Sequence, residues 1–222
     1  MTINAVEKPQ AILFDLDGTL LDTANDLGEA LNFVLRKYNF PIIARQEYRP
    51  VASDGALGLL TLGFKEQLKD FDYDVLRAEF LTYYQANIAN HTCLYPGVRE
   101  LLSHLNNENI SWGVVTNKPE GLTNLLLPYY PEFKKCAVMV GGDTLPTRKP
   151  DPEPLFYACQ QMKVEAKLTY YVGDALRDIQ AGNHAGMKTY IAEWGYIKAT
   201  DDLTQWQADF IIKNPQELLS IR

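Results

Sequence analysis

Several protein classes require features that this chain has in short supply. Its 222 residues include only three cysteines, Cys93, Cys136 and Cys159, and three histidines. The odd cysteine count and the absence of any metal-like spacing argue against a disulfide framework and a zinc centre, and point to reduced thiols serving as small core residues of a cytoplasmic protein. No apolar run approaches the roughly 18 residues of a membrane-spanning helix. The first ten residues lack the basic stretch and long apolar core of a secretory signal. Positive charge is scarce as well: 21 Lys and Arg face 28 Asp and Glu, for a net charge of −7, and the basic residues never cluster. A nucleic-acid surface therefore has little support, and neither nucleic acid nor membrane is expected as a partner. There is no internal repeat and no low-complexity stretch.

What the chain does have is enough apolar sequence, 46% of its residues, to bury a sizeable core. Apolar runs rich in β-branched and aromatic residues at 11–14, 112–115, 137–140, 170–172, 189–191 and 210–212 read as buried strands. Helical spacing fills the intervals at 98–105, 120–127, 153–162, 176–185 and 215–219. Such alternation predicts an α/β fold with a doubly wound parallel sheet. One region breaks the pattern. From 22 to 93 there is no convincing strand, only helix-like stretches at 26–38, 56–62 and 73–89. This reads as an all-helical insertion placed to act as a lid, re-entering the sheet domain at Leu94-Tyr95-Pro96-Gly97.

Four short segments carry chemistry. The first, Asp15-Leu16-Asp17-Gly18-Thr19, follows the apolar run 11–14, so two carboxylates sit where a buried strand opens into a loop. Asp15 is the candidate nucleophile toward phosphorus and Asp17 the candidate general acid and base. Gly18 and Thr19 allow a sharp turn and offer amide donors. A solvated surface turn is the alternative for this segment taken alone. A calcium loop fails because Leu20 stands where the turn needs glycine. Thr116 and Asn117 end the 112–115 run and would hydrogen-bond phosphoryl oxygens, or else cap the helix that follows. Lys149 lies in the proline-stiffened segment 146–152 and supplies a point charge for a phosphate or for the nucleophile, with Arg148 beside it as a solvated neighbour. Asp174 ends another strand and Asp178 follows one turn later. With Asp15 they offer Mg2+ the few carboxylates it accepts, although Asp178 also fits as a simple helix N-terminal charge.

In order and content the four segments resemble the motifs of the haloacid dehalogenase superfamily of aspartate-nucleophile phosphatases, over essentially the whole chain. That resemblance implies a Rossmann-like core at 1–21 and 94–222 and a helical cap at 22–93. It implies Mg2+ held by Asp15, Asp174, the Asp17 carbonyl and Asp178, the last directly or through water. It also implies phosphate contacts from Gly18, Thr116, Asn117 and Lys149. Leu21-Asp22-Thr23, the stretch from Arg49 to Ala56, and Lys149-Pro150-Asp151-Pro152 are similar to the phosphoglycolate phosphatase group. Trp112 to Pro119, Asp151 to Leu155, Leu176 to Ile179 and Trp194-Gly195-Tyr196-Ile197 are similar to a bacterial subgroup acting on N-acetylmuramate 6-phosphate. In the family the cap loop around Ser53, Asp54 and Gly55 faces the active site, so these residues and Arg49 are expected to meet substrate. An acidic Asp54 would repel a carboxylated substrate unless it points away or accepts a sugar hydroxyl, which favours a sugar phosphate. The expected partner is a small phosphorylated metabolite, and the protein a monomer or homodimer. A sugar phosphomutase would use the same aspartyl phosphate. A haloalkanoate dehalogenase needs neither Asp17 nor a metal, and a binding module would have lost a catalytic group, whereas all are present.

Overall fold

A computed structural model describes residues 9–220. The chain opens with β1 (Ala11–Phe14), whose four apolar residues are all buried. Successive side chains alternate between faces, so Ile12 and Phe14 join one apolar cluster and Leu13 the other. A two-residue strand, β2 (Leu21–Asp22), leads into α1 (Ala24–Lys37), α2 (Arg45–Tyr48), α3 (Gly55–Phe64) and α4 (Tyr73–Ala86). The return strand β3 (Cys93–Leu94) pairs antiparallel with β2. The chain then alternates through α5 (Val98–Asn107), β4 (Ser111–Val115), α6 (Glu120–Leu126), β5 (Met139–Val140), α7 (Glu153–Met162), β6 (Thr169–Gly173), α8 (Leu176–His184), β7 (Lys188–Ala192) and β8 (Phe210–Ile212).

Six strands form one wholly parallel sheet in the order β5-β4-β1-β6-β7-β8. Renumbering those six alone gives 3-2-1-4-5-6, the doubly wound order, in which the winding reverses between the first and fourth strands. The reversal falls here between β1 and β6, so a crevice opens beyond their carboxyl ends, where Asp15 and Asp174 stand. The expected α/β core with an inserted helical cap is present.

The helical cap holds together by its own apolar stripes. Leu27, Leu31, Val34 and Leu35 on α1 are buried, as are Leu76, Phe80 and Tyr84 on α4, four residues apart. Asp72 caps α4 by accepting from Asp74 N and Val75 N. The point where the chain leaves the sheet is tied to the point where it returns: buried Asp26 on α1 accepts hydrogen bonds from His91 N, Thr92 N and Thr92 Oγ1. No helix among the described residues is long and apolar enough to cross a membrane.

Four features differ from expectation. The stretch 22–93 was expected to hold no strand, yet β2 and β3 form a small two-stranded neck at its ends, too short for periodicity to register. The 137–140 strand shortens to Met139–Val140, although Ala137 N still donates to β4 at Trp112 O. The last segment is a 3-10 turn, Pro215–Ser220, not an α-helix. Of the cysteines expected in the core, Cys159 is buried, Cys136 half-buried and Cys93 exposed on β3.

Candidate active site

Asp15, Thr116 and Asp174 each stand one residue beyond a sheet strand. Asp15 N donates to Val172 O and Thr116 N to Val140 O, so the parallel ladder itself sets their direction. Asp15, Asp174 and Asp178 are 4%, 1% and 0% exposed, and one oxygen of each lies within 4.8 Å of the others. Lys149 is the cation among them. Its ammonium lies 3.0 Å from Asp15 Oδ1 and 2.7 Å from Asp178 Oδ1, and it donates to Val115 O and to Tyr171 Oη. One ammonium does not balance three carboxylates. Burial first, then the Asp15 and Asp178 charges, push the Asp174 carboxyl up to about 7, and burial also raises Asp178 against the pull of Lys149. Asp15 Oδ1 is buried, and although it pairs with the Lys149 ammonium it accepts no well-aligned hydrogen bond from the described residues. A surplus of hard oxygen ligands over cationic charge, one of them without a well-aligned hydrogen bond, is a donor set that fits a divalent cation such as Mg2+.

Gly18 is required where it stands. Its φ of 88° lies in the left-handed region, and a Cβ there would come within 2.1 Å of Asp174 Oδ2. Thr19 Oγ1 donates to Asp174 Oδ1, and Tyr196 N to Asp174 Oδ2. Asp178 serves in two ways: its Oδ2 accepts from Ala175 N at the start of α8 while its Oδ1 faces Lys149.

Asp17 is held by two groups, Thr23 Oγ1 at 2.7 Å from Oδ1 and the ammonium of Lys118 at 3.1 Å from the same oxygen and 3.3 Å from Oδ2. Lys118 is itself buried, donates to Tyr84 Oη on α4 at 2.7 Å, and lies over the Tyr84 ring. Burial opposes its charge, but Asp17 and Tyr84 outweigh that and raise its pKa above the usual lysine value. Thr116 Oγ1 accepts from Lys118 N, and Asn117 Nδ2 donates to Lys149 O, which ties the two loops together. Neither residue caps α6, whose first N–H, on Glu120, is met by Asp143.

These groups line a cavity of about 610 Å³. Asp15, Asp17, Thr116, Asn117, Lys118 and Lys149 form its sheet end. Ser53 to Gly58 and the α4 residues Tyr73, Arg77, Phe80, Leu81 and Tyr84 form its helical wall. The sequence profile of the haloacid dehalogenase-like hydrolases matches residues 12–192, which takes in both. The chain belongs to that family. Among proteins of similar sequence, the phosphoglycolate phosphatase of Xanthomonas campestris pv. campestris (strain 8004) is 42% identical over 210 residues, 95% of either chain. The N-acetylmuramic acid 6-phosphate phosphatase of Pseudomonas aeruginosa PAO1 is 37% identical over 212 residues, 96% of this chain and 94% of that one. A crystal structure of a predicted phosphoglycolate phosphatase from Haemophilus somnus 129pt superposes with a TM-score of 0.88 at 28% identity, covering 96% of this chain and 98% of that one. This hydrolase is a phosphatase by the same relatives.

The haloacid dehalogenase-like site brings Asp15, Asp17, Thr116, Asn117 and Lys149 onto one cavity, with Asp174 and Asp178 buried beside Asp15. The cap residues divide. Ser53, Asp54 and Gly55 line the cavity. Arg49, expected to meet substrate, is not among the lining residues; its guanidinium donates to Gly195 O, Trp194 O and Tyr95 Oη and lies over the Tyr196 ring. It belongs to a 3-10 turn, Arg49–Asp54, where a loop was expected, and it clamps that turn to the segment after β7. Asp54 is neutralised by Lys198 at 3.1 Å and Arg177 at 3.4 Å, and Arg177 also donates to Ser53 O. Arg148, read from sequence as a solvated neighbour, lines the cavity. Sequence reasoning also missed Lys118, Tyr84 and the Trp194–Tyr196 bracket, in which Trp194 Nε1 donates to Thr19 O. Lys118 directly follows Asn117, and an apolar stripe that includes Tyr73 and Tyr84 was the available trace of Tyr84.

Proposed function

We propose that this phosphatase is a Mg2+-dependent hydrolase that works through a phosphorylated Asp15 on a sugar phosphate bearing a carboxylate, N-acetylmuramate 6-phosphate being the example given by the relatives. Residues 22–93 act as its cap and the remainder as its core. Asp15, Asp174, Asp178 and the Asp17 carbonyl would hold the cation. When bound, Mg2+ neutralises charge on the phosphoryl oxygens.

The Asp15 carboxylate attacks phosphorus in line with the departing alcohol oxygen, and the P–O bond to that oxygen breaks as the Asp15–phosphorus bond forms. Asp17, held at Oδ1 by Thr23 and spanned at both oxygens by Lys118, carries a proton to the departing oxygen. Lys118 is shared with the incoming phosphate, which loosens its hold on Asp17 and lets that carboxyl take up the proton. As carboxylate, Asp17 then removes a proton from the water that attacks the acyl phosphate, releasing inorganic phosphate and restoring Asp15. Lys149 holds Asp15 in place, and Thr116 and Asn117 offer side-chain donors to the phosphoryl oxygens.

The observation that carries the substrate size is the cavity itself. Ligand pockets of about 300–1,000 Å³ suit molecules well above a two-carbon acid. A helical wall bearing Tyr73, Phe80, Leu81 and Leu57 offers apolar area that 2-phosphoglycolate has no groups to cover. The 42% identical relatives favour 2-phosphoglycolate by name, and both named substrates are phosphomonoesters with a carboxylate. Phosphate release should be measured with Mg2+ on 2-phosphoglycolate and N-acetylmuramate 6-phosphate side by side. The sugar phosphate is expected to show the higher kcat/KM by about 10-fold or more. A faster reaction with 2-phosphoglycolate refutes the substrate assignment, and conversion of glucose 1-phosphate to the 6-phosphate without phosphate release identifies a mutase instead.

A further inference from the structure

Five cationic side chains line the cavity, and three are already matched. Lys149 sits between Asp15 and Asp178, Lys118 against Asp17, and Arg177 against Asp54 and the Ser53 carbonyl. The three lining carboxylates, Asp15, Asp17 and Asp54, thus each have a cation. Arg77 and Arg148 are left over. Both are exposed, and neither side chain has a hydrogen-bond or ion-pair partner among the described residues.

Their placement is built into the chain. Arg77 falls on the same face of α4 as Tyr73, Phe80, Leu81 and Tyr84, at the three- and four-residue spacing that puts all five on the cavity wall. Arg148 precedes Lys149 in the segment 146–152, where three prolines restrict the backbone. Lys149 turns into the sheet and Arg148 lines the cavity. One guanidinium therefore comes from the helical wall and one from the sheet domain, beside apolar surface and in a protein of net charge −7. A guanidinium is weakly hydrated, and its fork matches a carboxylate with two parallel hydrogen bonds.

We infer that Arg77 and Arg148 form a second anion-binding pair that reads the carboxylate of the substrate, away from the phosphoryl group held at Asp15. The inference rests on the carboxylated phosphosugar reading above. It also resolves the charge conflict raised by Asp54, because that carboxylate is taken up by Lys198 and Arg177 and leaves the arginine pair to set the sign of the distal end. Selectivity then requires the helical wall and the sheet domain to close on one ligand together.

The test uses Arg77→Gln, Arg148→Gln and the double variant in the full chain with Mg2+. Two substrates sharing a ring are compared: N-acetylmuramate 6-phosphate, which carries the acid, and N-acetylglucosamine 6-phosphate, which does not. Loss of hydrogen bonds to a charged group predicts a fall of about 10-fold or more in the kcat/KM ratio of the acid to the neutral sugar, expressed mainly in KM. Arg77→Lys should restore part of that ratio by keeping the charge. An unchanged ratio, or equal losses on both sugars, overturns the pair. Should wild-type enzyme prefer 2-phosphoglycolate, the phosphosugar reading fails separately, and the same variants are compared on 2-phosphoglycolate and ethyl phosphate. Acid-selective loss there supports the pair, and equal loss overturns it.

Discussion

At the sheet end of the cavity Asp15, Asp174, Asp178, Lys149 and Lys118 are all 8% exposed or less, and each faces an opposite charge or a fixed donor. On the helical wall Leu57 is 59% exposed, Arg77 is open to solvent, and Tyr73 is half-buried. The contrast is one of substitution cost. Removing one member of a buried charge pair leaves the other desolvated and alone, at about 3–5 kcal/mol, whereas an exposed side chain changes stability by roughly 0.5 kcal/mol or less. The sheet end is thus held to one chemistry, and the wall is free to vary with the substrate.

The largest effects test whether the sheet end performs the chemistry. Asp15→Asn keeps size and removes the proposed nucleophile, so turnover should fall by about 10⁴ or more, and no acid-stable phosphate label should appear on the protein after quenching. Asp17→Asn should cost about 10²–10⁴ in kcat and should still yield some phosphoenzyme with a substrate whose alcohol departs unaided, such as para-nitrophenyl phosphate. Substantial Asp15→Asn activity would remove Asp15 from its role.

The second contrast is structural. Lys149→Met leaves Asp15 and Asp178 facing each other without their cation, and urea unfolding should show a loss of about 3–5 kcal/mol. Leu57→Ala on the wall should change stability by roughly 0.5 kcal/mol or less. Equal losses would erase the distinction between the two regions.

Most of the sheet end was legible in the sequence because a parallel sheet puts strand ends on one edge. Asp15, Thr116 and Asp174 each follow a run of buried apolar residues, and that position alone brings them together. The wall was less legible. Arg49 and Asp54 were placed at the substrate by their segment, but the direction of a side chain in a 3-10 turn depends on partners far along the chain. Here those partners are Gly195, Arg177 and Lys198, the last 144 positions beyond Asp54. Lys118 was hidden for the same reason: its role depends on Tyr84 in the inserted segment. The neck strands β2 and β3, of two residues each, carry no period to detect.

Metal and pH sharpen the comparison further, because the sheet end alone should respond. Burial and its neighbours hold the folded Asp174 carboxyl at about 7, above the ordinary value of about 3.9. Between those values the native state binds more protons than the unfolded chain. Stability of the metal-free protein should therefore fall as pH rises from about 4 to about 7 and change little above that. Mg2+ bound there would take the place of the proton, so it should raise the urea midpoint more at pH 7.5 than at pH 5. A midpoint at pH 7.5 indifferent to Mg2+ would remove Asp174 as a ligand.

Tyr84 joins the two regions. Tyr84→Phe keeps the ring over Lys118 and deletes the hydroxyl that accepts from it, which should cost about 1.5–3 kcal/mol in stability. Because the same ammonium anchors Asp17, kcat should fall along with stability. A stability loss with kcat untouched would mean that Asp17 is placed by Thr23 alone.

A small effect also belongs to Asp54, whose side chain is 37% exposed, as is fitting for a group paired at the rim. Its two cations, Lys198 and Arg177, are also solvent-accessible, so Coulomb attraction there is screened. Asp54→Asn should cost about 1 kcal/mol or less, shrinking further in high salt. The substitution also tests Asp54 as a latch against Asp54 as a substrate contact. A latch predicts a modest, salt-sensitive change shared by every substrate, because the turn carrying Ser53 loosens from the sheet domain. A group accepting a sugar hydroxyl predicts a loss confined to sugar phosphates and insensitive to salt. With both carboxylate oxygens already facing Arg177 and Lys198, the first pattern is the one expected, and the kcat/KM of para-nitrophenyl phosphate against a sugar phosphate in low and high salt separates the two.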